Sequence, residues 1–150
     1  MMIHELSAEE CAEYLGRTSV GRLACALSHQ PYIVPIHFSF DAERTCLYAF
    51  SMVGQKIQWM RKNPRVCVEV EEITSKNHWT TVLVFGRYHE ISRNAKDSDD
   101  RQRVERLFQI RPEWWLPAAA TVPSREHHDM VLYRIEIDRM TGRRAARQIE

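Results

Sequence analysis

Leu47-Tyr-Ala-Phe-Ser-Met-Val-Gly-Gln-Lys-Ile-Gln-Trp-Met-Arg-Lys-Asn-Pro64 changes character part-way along. Leu47 to Ser51 is a compact apolar run of the kind that forms a buried strand. The residues from Gly54 to Lys62 read as a short helix, closed at Asn63 because a residue before proline is pushed out of the α region. The Ser51 hydroxyl, Gly54, the free N–H groups that begin any helix, and the side chains of Gln55 and Lys56 gather within one turn. Helix N-termini carry partial positive charge and unpaired donors, so phosphate is a natural guest there. A plain helix start with an exposed lysine reads the same residues without a ligand.

Upstream, Pro31-Tyr-Ile-Val-Pro-Ile-His-Phe-Ser-Phe40 alternates strictly. Tyr32, Val34, Ile36, Phe38 and Phe40 share the parity of a core face, and Ile33, Pro35, His37 and Ser39 share the other. Proline cannot donate to a ladder, so Pro35 marks an edge or a bulge whose main chain is left for something else. Val20 to Leu27 precedes it across Ser28-His29-Gln30, which predicts a hairpin. Before that, Ser7 and Glu10 form a capping box, Leu6 can staple onto Cys11, and Gly16 predicts a left-handed helix end.

Downstream, Arg65 to Ile73 alternates with Val66, Val68 and Val70 inward. A long strand follows over Thr80 to Ile91, in which Gly86 invites a bend or close approach. Asp97 or Ser98 can cap a helix carrying Val104, Leu107 and Phe108. Trp114-Trp115 lies in a proline-marked segment with Pro112, Pro117 and Pro123, as a packing anchor or part of a pocket lid. Met130 to Asp138 is a final strand, with Val131, Tyr133, Ile135 and Ile137 inward. The tail with four arginines from 139 to 147 reads as a solvated turn. Six strands on short links, with too few helices to cover both faces of a sheet, predict an antiparallel barrel with peripheral helices.

Composition narrows the function. With 21 Lys plus Arg against 20 Asp plus Glu, there is no polyelectrolyte signature, so nucleic acid is not expected. No basic leader and no long apolar run is present, which predicts a cytoplasmic protein without membrane contact. The chain of 150 residues suits one domain, residues 1–150. Cys11, Cys25, Cys46 and Cys67 have neither zinc nor disulfide spacing and read as buried thiols. His127-His128 lacks a third ligand, so no metal is expected. Gly54-Gln-Lys56 lacks the rest of a nucleotide-binding P-loop, and no nucleophile elbow or zinc-protease motif appears.

In order and spacing, Val20-Gly-Arg-Leu-Ala, Pro31-Tyr-Ile-Val-Pro-Ile, Gly54-Gln-Lys56, Asn63-Pro-Arg-Val-Cys-Val-Glu-Val70, His78-Trp-Thr-Thr-Val-Leu-Val-Phe-Gly-Arg87 and Thr141-Gly-Arg-Arg resemble one family. It is the FMN-binding split-barrel superfamily of pyridoxamine 5′-phosphate oxidase, in its nitroimidazole-resistance-like branch. The resemblance implies a mainly β, six-stranded antiparallel split barrel and a homodimer holding two FMN molecules at its interface. It implies that main chain at Val34, Pro35, Ile36 and His37 lines the flavin ring. Ser51, Gln55 and Lys56 would hold the phosphate, and Trp79 and Thr81 would approach from the partner subunit. Phe50 stands where many nitroimidazole-resistance-like proteins have histidine, and Gln55 where members often have arginine. The expected activity is flavin oxidoreduction on a small molecule, with NAD(P)H as a candidate reductant and no identified catalytic side chain. A flavin store or sensor without turnover, and a haem- or deazaflavin-binding relative, are the alternatives.

Overall fold

The computed structural model describes residues 1–110 and 130–146. Its elements are β1 (Met2–Glu5), α1 (Ala8–Gly16), β2 (Val20–Leu27), β3 (Gln30–His37), β4 (Ser39–Asp41), β5 (Cys46–Met52), α2 (Gln55–Lys62), β6 (Arg65–Ser75), β7 (His78–Ile91), a 3-10 turn (Ala95–Asp97), α3 (Ser98–Ile110) and β8 (Met130–Ala146). The strands form one antiparallel sheet in the order β3-β2-β6-β7-β8-β5-β4, with β1 on the far end of β8. The sheet curls without closing, so β3 and β4 are its two ends, in keeping with a split barrel. The Trp114-Trp115 pair, the three nearby prolines, His127-His128 and the side chain of Phe108 lie outside the described residues.

Period-two alternation dictates which faces meet. Leu23, Phe38, Leu47, Val68, Val82 and Ile135 have no exposed surface, and α1 and α2 plug the barrel with Tyr14, Leu15, Ile57 and Met60. Full burial of each such side chain stabilises the fold by about 1.5–3 kcal/mol. The capping box is present, with Glu10 N donating to Ser7 Oγ at 3.1 Å and Ser7 N to Glu10 Oε2 at 2.8 Å. Ser28 and His29 both take positive φ, as a two-residue hairpin turn requires. All four thiols are raised above their ordinary value by burial, that of Cys46 to about 11.

The six predicted strands are all present, joined by two short ones: β4 splits from the end of the predicted 31–40 strand, and β1 adds an N-terminal strand. The arginine-rich tail is no solvated turn. Through Ala146, β8 stays in the sheet, between β7 and β1. Gly142 permits this, because a Cβ there would lie 2.8 Å from Cys11 Sγ and 2.9 Å from Leu6 Cδ1. Gly86 likewise sits at a register shift against β8, where a Cβ would collide with the Glu136 carbonyl oxygen. Gly16 ends α1 as predicted but not by a left-handed turn, since no described glycine has positive φ.

A buried polar cluster ties α3 to the barrel. Asp100, in the first turn of α3, accepts from Tyr48 Oη at 2.9 Å, from Arg44 at 2.8 Å and from Arg134 of β8. Just ahead of it, Asp97 accepts from Ser92 N at 2.7 Å and Ser92 Oγ at 2.6 Å, with His89 at 3.4 Å. Among the described residues no helix is long and apolar enough to cross a membrane, and no group of three or more His, Cys, Asp or Glu is placed to hold a metal ion.

Two stability measurements check these contacts. Asp100→Asn takes the carboxylate away from Arg44 and leaves Arg134 only Glu136, and should cost about 3 kcal/mol in urea unfolding. The Ser92 hydroxyl, with smaller help from its N–H and His89, holds the Asp97 carboxyl down to about 2. A depressed carboxyl stabilises the fold above its unfolded value of about 3.9, and that contribution is lost as pH falls through about 2. Stability of the wild type should therefore fall more steeply than that of Asp97→Asn across this acid range.

Candidate functional site

Among the described residues, the split is where main chain goes unpaired. On β3, Phe38 N donates to Ser19 O at 2.9 Å, so by the two-residue period the main-chain groups of Ile36 and Val34 also turn toward β2. Those of His37, Pro35 and Ile33 then turn to the open edge. Pro35 thus costs the sheet no ladder bond, because its missing N–H falls on the unpaired side.

Beside this edge lies a cavity of about 280 Å³ lined by Pro35, Ile36, His37, Phe50, Ser51, Met52 and Lys56. Three elements meet here: the end of β3, the end of β5 and the first turn of α2. The cap residue Gly54 makes no side-chain cap, so the first N–H groups of α2 are left without one. Lys56 is half-buried, with no hydrogen bond or ion pair to any described residue. Burial pushes its ammonium below the usual lysine value, with the Cys25 thiol opposing that shift. Among the described residues the lining contains Lys56 and His37 and no carboxylate. A half-buried cation beside uncapped N–H groups is a site for an anion, while Ile36, Phe50 and Met52 offer an apolar wall.

The structure brings together six of the ten residues singled out by sequence: Pro35, Ile36, His37, Phe50, Ser51 and Lys56. Ser51 Oγ donates to the Met52 carbonyl at 2.9 Å, so rotation of the hydroxyl is needed to serve another acceptor. Val34 is half-buried on the core parity, and Gln55 is exposed outside the lining. Gly54 has extended backbone and open space around it, so within the chain its lack of a side chain answers no clash. Met52 was missed, although it simply continues the β5 strand.

Trp79 and Thr81 sit elsewhere. They lie on β7, three strands from β3, which is about 14 Å across the sheet. Thr81 lines another depression of about 410 Å³ with Glu5, Leu6, Leu83, Met140, Thr141, Gly142 and Arg143. Within one chain these two residues do not reach the β3 cavity. A larger opening of about 640 Å³ lies on the outer face around Ala24, Cys67 and Phe85, but its Arg87 is already paired with Glu136 and Asp138.

The ammonium of Lys56 provides a direct check. Observed by NMR, its Nζ should titrate below the ordinary lysine value of about 10.4 and move upward when inorganic phosphate is added, since an anion favours the charged form. A titration indifferent to phosphate would leave the cavity without anion affinity.

Comparison with known proteins agrees with this architecture. The sequence pattern of the pyridoxamine 5′-phosphate oxidase family matches residues 7–144. An uncharacterized protein of Rhizobium meliloti is 37% identical over 148 residues, covering 97% of each chain. The crystal structure of a FAD-binding protein from Mesorhizobium loti is 38% identical with a TM-score of 0.80, covering 97% of this chain and 100% of that one. A proposed 5-nitroimidazole antibiotic resistance protein of Bacteroides thetaiotaomicron shares the fold, with a TM-score of 0.59 at 14% identity, covering 98% of this chain and 93% of its own. The chain is a member of the pyridoxamine 5′-phosphate oxidase family.

Proposed function

We propose that the cavity at the split binds a flavin nucleotide through the half shared by FMN and FAD, and that the protein is a flavin-dependent oxidoreductase. The observation that carries this reading is Lys56: a half-buried ammonium with no hydrogen bond or ion pair among the described residues, beside an uncapped helix start, on the rim of an apolar wall and a strand edge that no described strand pairs. Those three features suit a phosphate joined to a planar ring. FMN is the smallest flavin that uses all of them. The 38%-identical relative from Mesorhizobium loti, described as FAD-binding, supports a flavin and raises the longer nucleotide as a second form.

Lys56, the α2 N–H groups and, after rotation, the Ser51 hydroxyl take the phosphate. Gln55 supplies at most a neutral hydrogen bond, weaker than the charge-assisted contact of an arginine. The main chain of Pro35 and His37 presents its carbonyl groups and one N–H to the ring edge, while Ile36 and Phe50 hold water off. A bound flavin supplies hydride transfer, and the protein supplies orientation and a partly dry pocket. A single-chain cavity of about 280 Å³ is below the ~300–1,000 Å³ of small-ligand sites. We therefore place Trp79 and Thr81 of a second copy over the exposed side of the ring, in a homodimer.

Purified protein should be yellow and release FMN or FAD on denaturation, identified by mass. Anaerobic NADH or NADPH should bleach it if the pyridine nucleotides are its reductants; colour without bleaching by any donor favours a flavin store or sensor. A haem Soret band, a deazaflavin spectrum or a colourless protein that ignores added flavin would contradict the assignment. Lys56→Ala should weaken flavin binding by about 1.5–3 kcal/mol, on the order of 10- to 100-fold, by loss of one charge-assisted contact; unchanged affinity would remove Lys56 from the site.

A further inference from the structure

We infer that in this dimer Arg22 of each copy binds Glu69 of the other, and that this reciprocal ion pair sets the register of the two sheets. The inference rests on the proposal that a flavin lies between β3 of one copy and β7 of its partner. Four neighbouring strands run in the order β3-β2-β6-β7. For β3 to lie over the partner's β7, and β7 over the partner's β3, the two-fold axis must run between the stacked sheets, along the strands, above the boundary of β2 and β6. A two-fold across the strands would instead put β3 on β3. On that boundary Arg22 of β2 is directly opposite Glu69 of β6, so the axis lays each Arg22 over the second copy's Glu69.

The rows agree along the strand direction as well. His37 pairs with Val20 on β2, and Thr81 pairs with Glu71 on β6. Val20 and Glu71 are each one two-residue step beyond the Arg22–Glu69 pair, so His37 and Thr81 occupy one row. The axis that stacks Arg22 on Glu69 therefore also lays His37 over the second copy's Thr81, as the shared flavin needs.

The local chemistry is complementary. Arg22 Nη1 lies 2.8 Å from Glu71 Oε1 and 3.5 Å from Glu69 Oε2, which leaves the rest of its five-donor fork without a partner among the described residues. Glu69 Oε1 is buried with no hydrogen-bond partner among the described residues, and a half-turn about the terminal bond exchanges the two oxygens so that either can face outward. The two side chains remain 48% and 31% exposed, so both can be reached. Around them the face carries exposed apolar side chains beside Glu71 and His37, with Val20, Ile33 and Ile73 exposed at 52%, 63% and 61%. Such a surface excludes water once it is covered and strengthens the charges enclosed. Each Arg22 keeps its own Glu71 and gives its remaining donors to the other chain's Glu69, so the cluster is isologous.

Sedimentation of the protein purified with its flavin tests this. Glu69→Arg and Arg22→Glu each put like charges across the axis and should weaken self-association on the order of 100-fold, in the range for a broken interfacial charge pair. The double variant restores opposite charges and should recover the dimer, while circular dichroism and melting temperature report an intact fold in each. Single variants that dimerise like the wild type would overturn the contact and leave the shared-flavin reading standing. A flavin-loaded wild type that sediments as a monomer would overturn both. If the charge reversals do not fold, isosteric Glu69→Gln decides: about 10-fold weaker association is expected, and unchanged association overturns the pair.

Discussion

Main-chain hydrogen bonding at the outer edge of β3 is the constraint from which the site follows. An antiparallel sheet that closed on itself would pair that edge with β4 or β5 and leave nothing for a ligand. Here the curl stops short, and proline occupies a mid-strand position where a missing N–H is harmless because it faces the gap. The same residue that lets the edge stay open also keeps it from recruiting a stray strand. Whatever fills the gap must meet carbonyl groups in a row, a short apolar wall, and a cation with no counter-ion among the described residues.

Around this opening the rest of the molecule is tied down. Asn63, just past α2, donates through Nδ2 to the Ala26 carbonyl at 3.0 Å, and Trp59 of α2 stacks near Tyr32 of β3 at 5.6 Å. These contacts dock the second half of the helix onto β2 and β3. On the opposite side Asp100 gathers donors from β5, β8 and the turn between β4 and β5, which fixes α3 against the barrel. The opening is thus framed by rigid elements, the arrangement in which a few polar groups can select a ligand without first being ordered.

Much of this was legible in residue patterns. Strict alternation in 31–38 and 65–70 settled inward and outward faces, although Ser39, on the outward parity, is buried where the strand breaks into β4, and Pro64 and Gly86 marked a helix end and a close approach that the structure contains. Misreadings arose where local polarity and tertiary need diverge. Met140-Thr-Gly-Arg-Arg looks like a turn, yet its glycine is there to admit Leu6 and Cys11 against the sheet, and a long β7 supplies the partner that keeps it extended. The pairing of β1 with β8 is equally non-local, and four residues beginning Met2 carry no alternation strong enough to announce it. At the site, Ser51 and Lys56 were readable because one strand–helix turn joins them in sequence. Trp79 and Thr81 were suggested only by resemblance, since within one chain they lie on a strand far from the cavity.

Backbone hydrogen exchange, with and without saturating flavin, tests the central claim most directly. The His37 amide faces the open edge and the first amides of α2 lack a side-chain cap, so all should exchange fast in the flavin-free protein and slow markedly when flavin binds. The interior amides of β6 should stay as they were. If flavin binds and slows exchange elsewhere while His37 and the start of α2 are untouched, the split is not where the ligand sits.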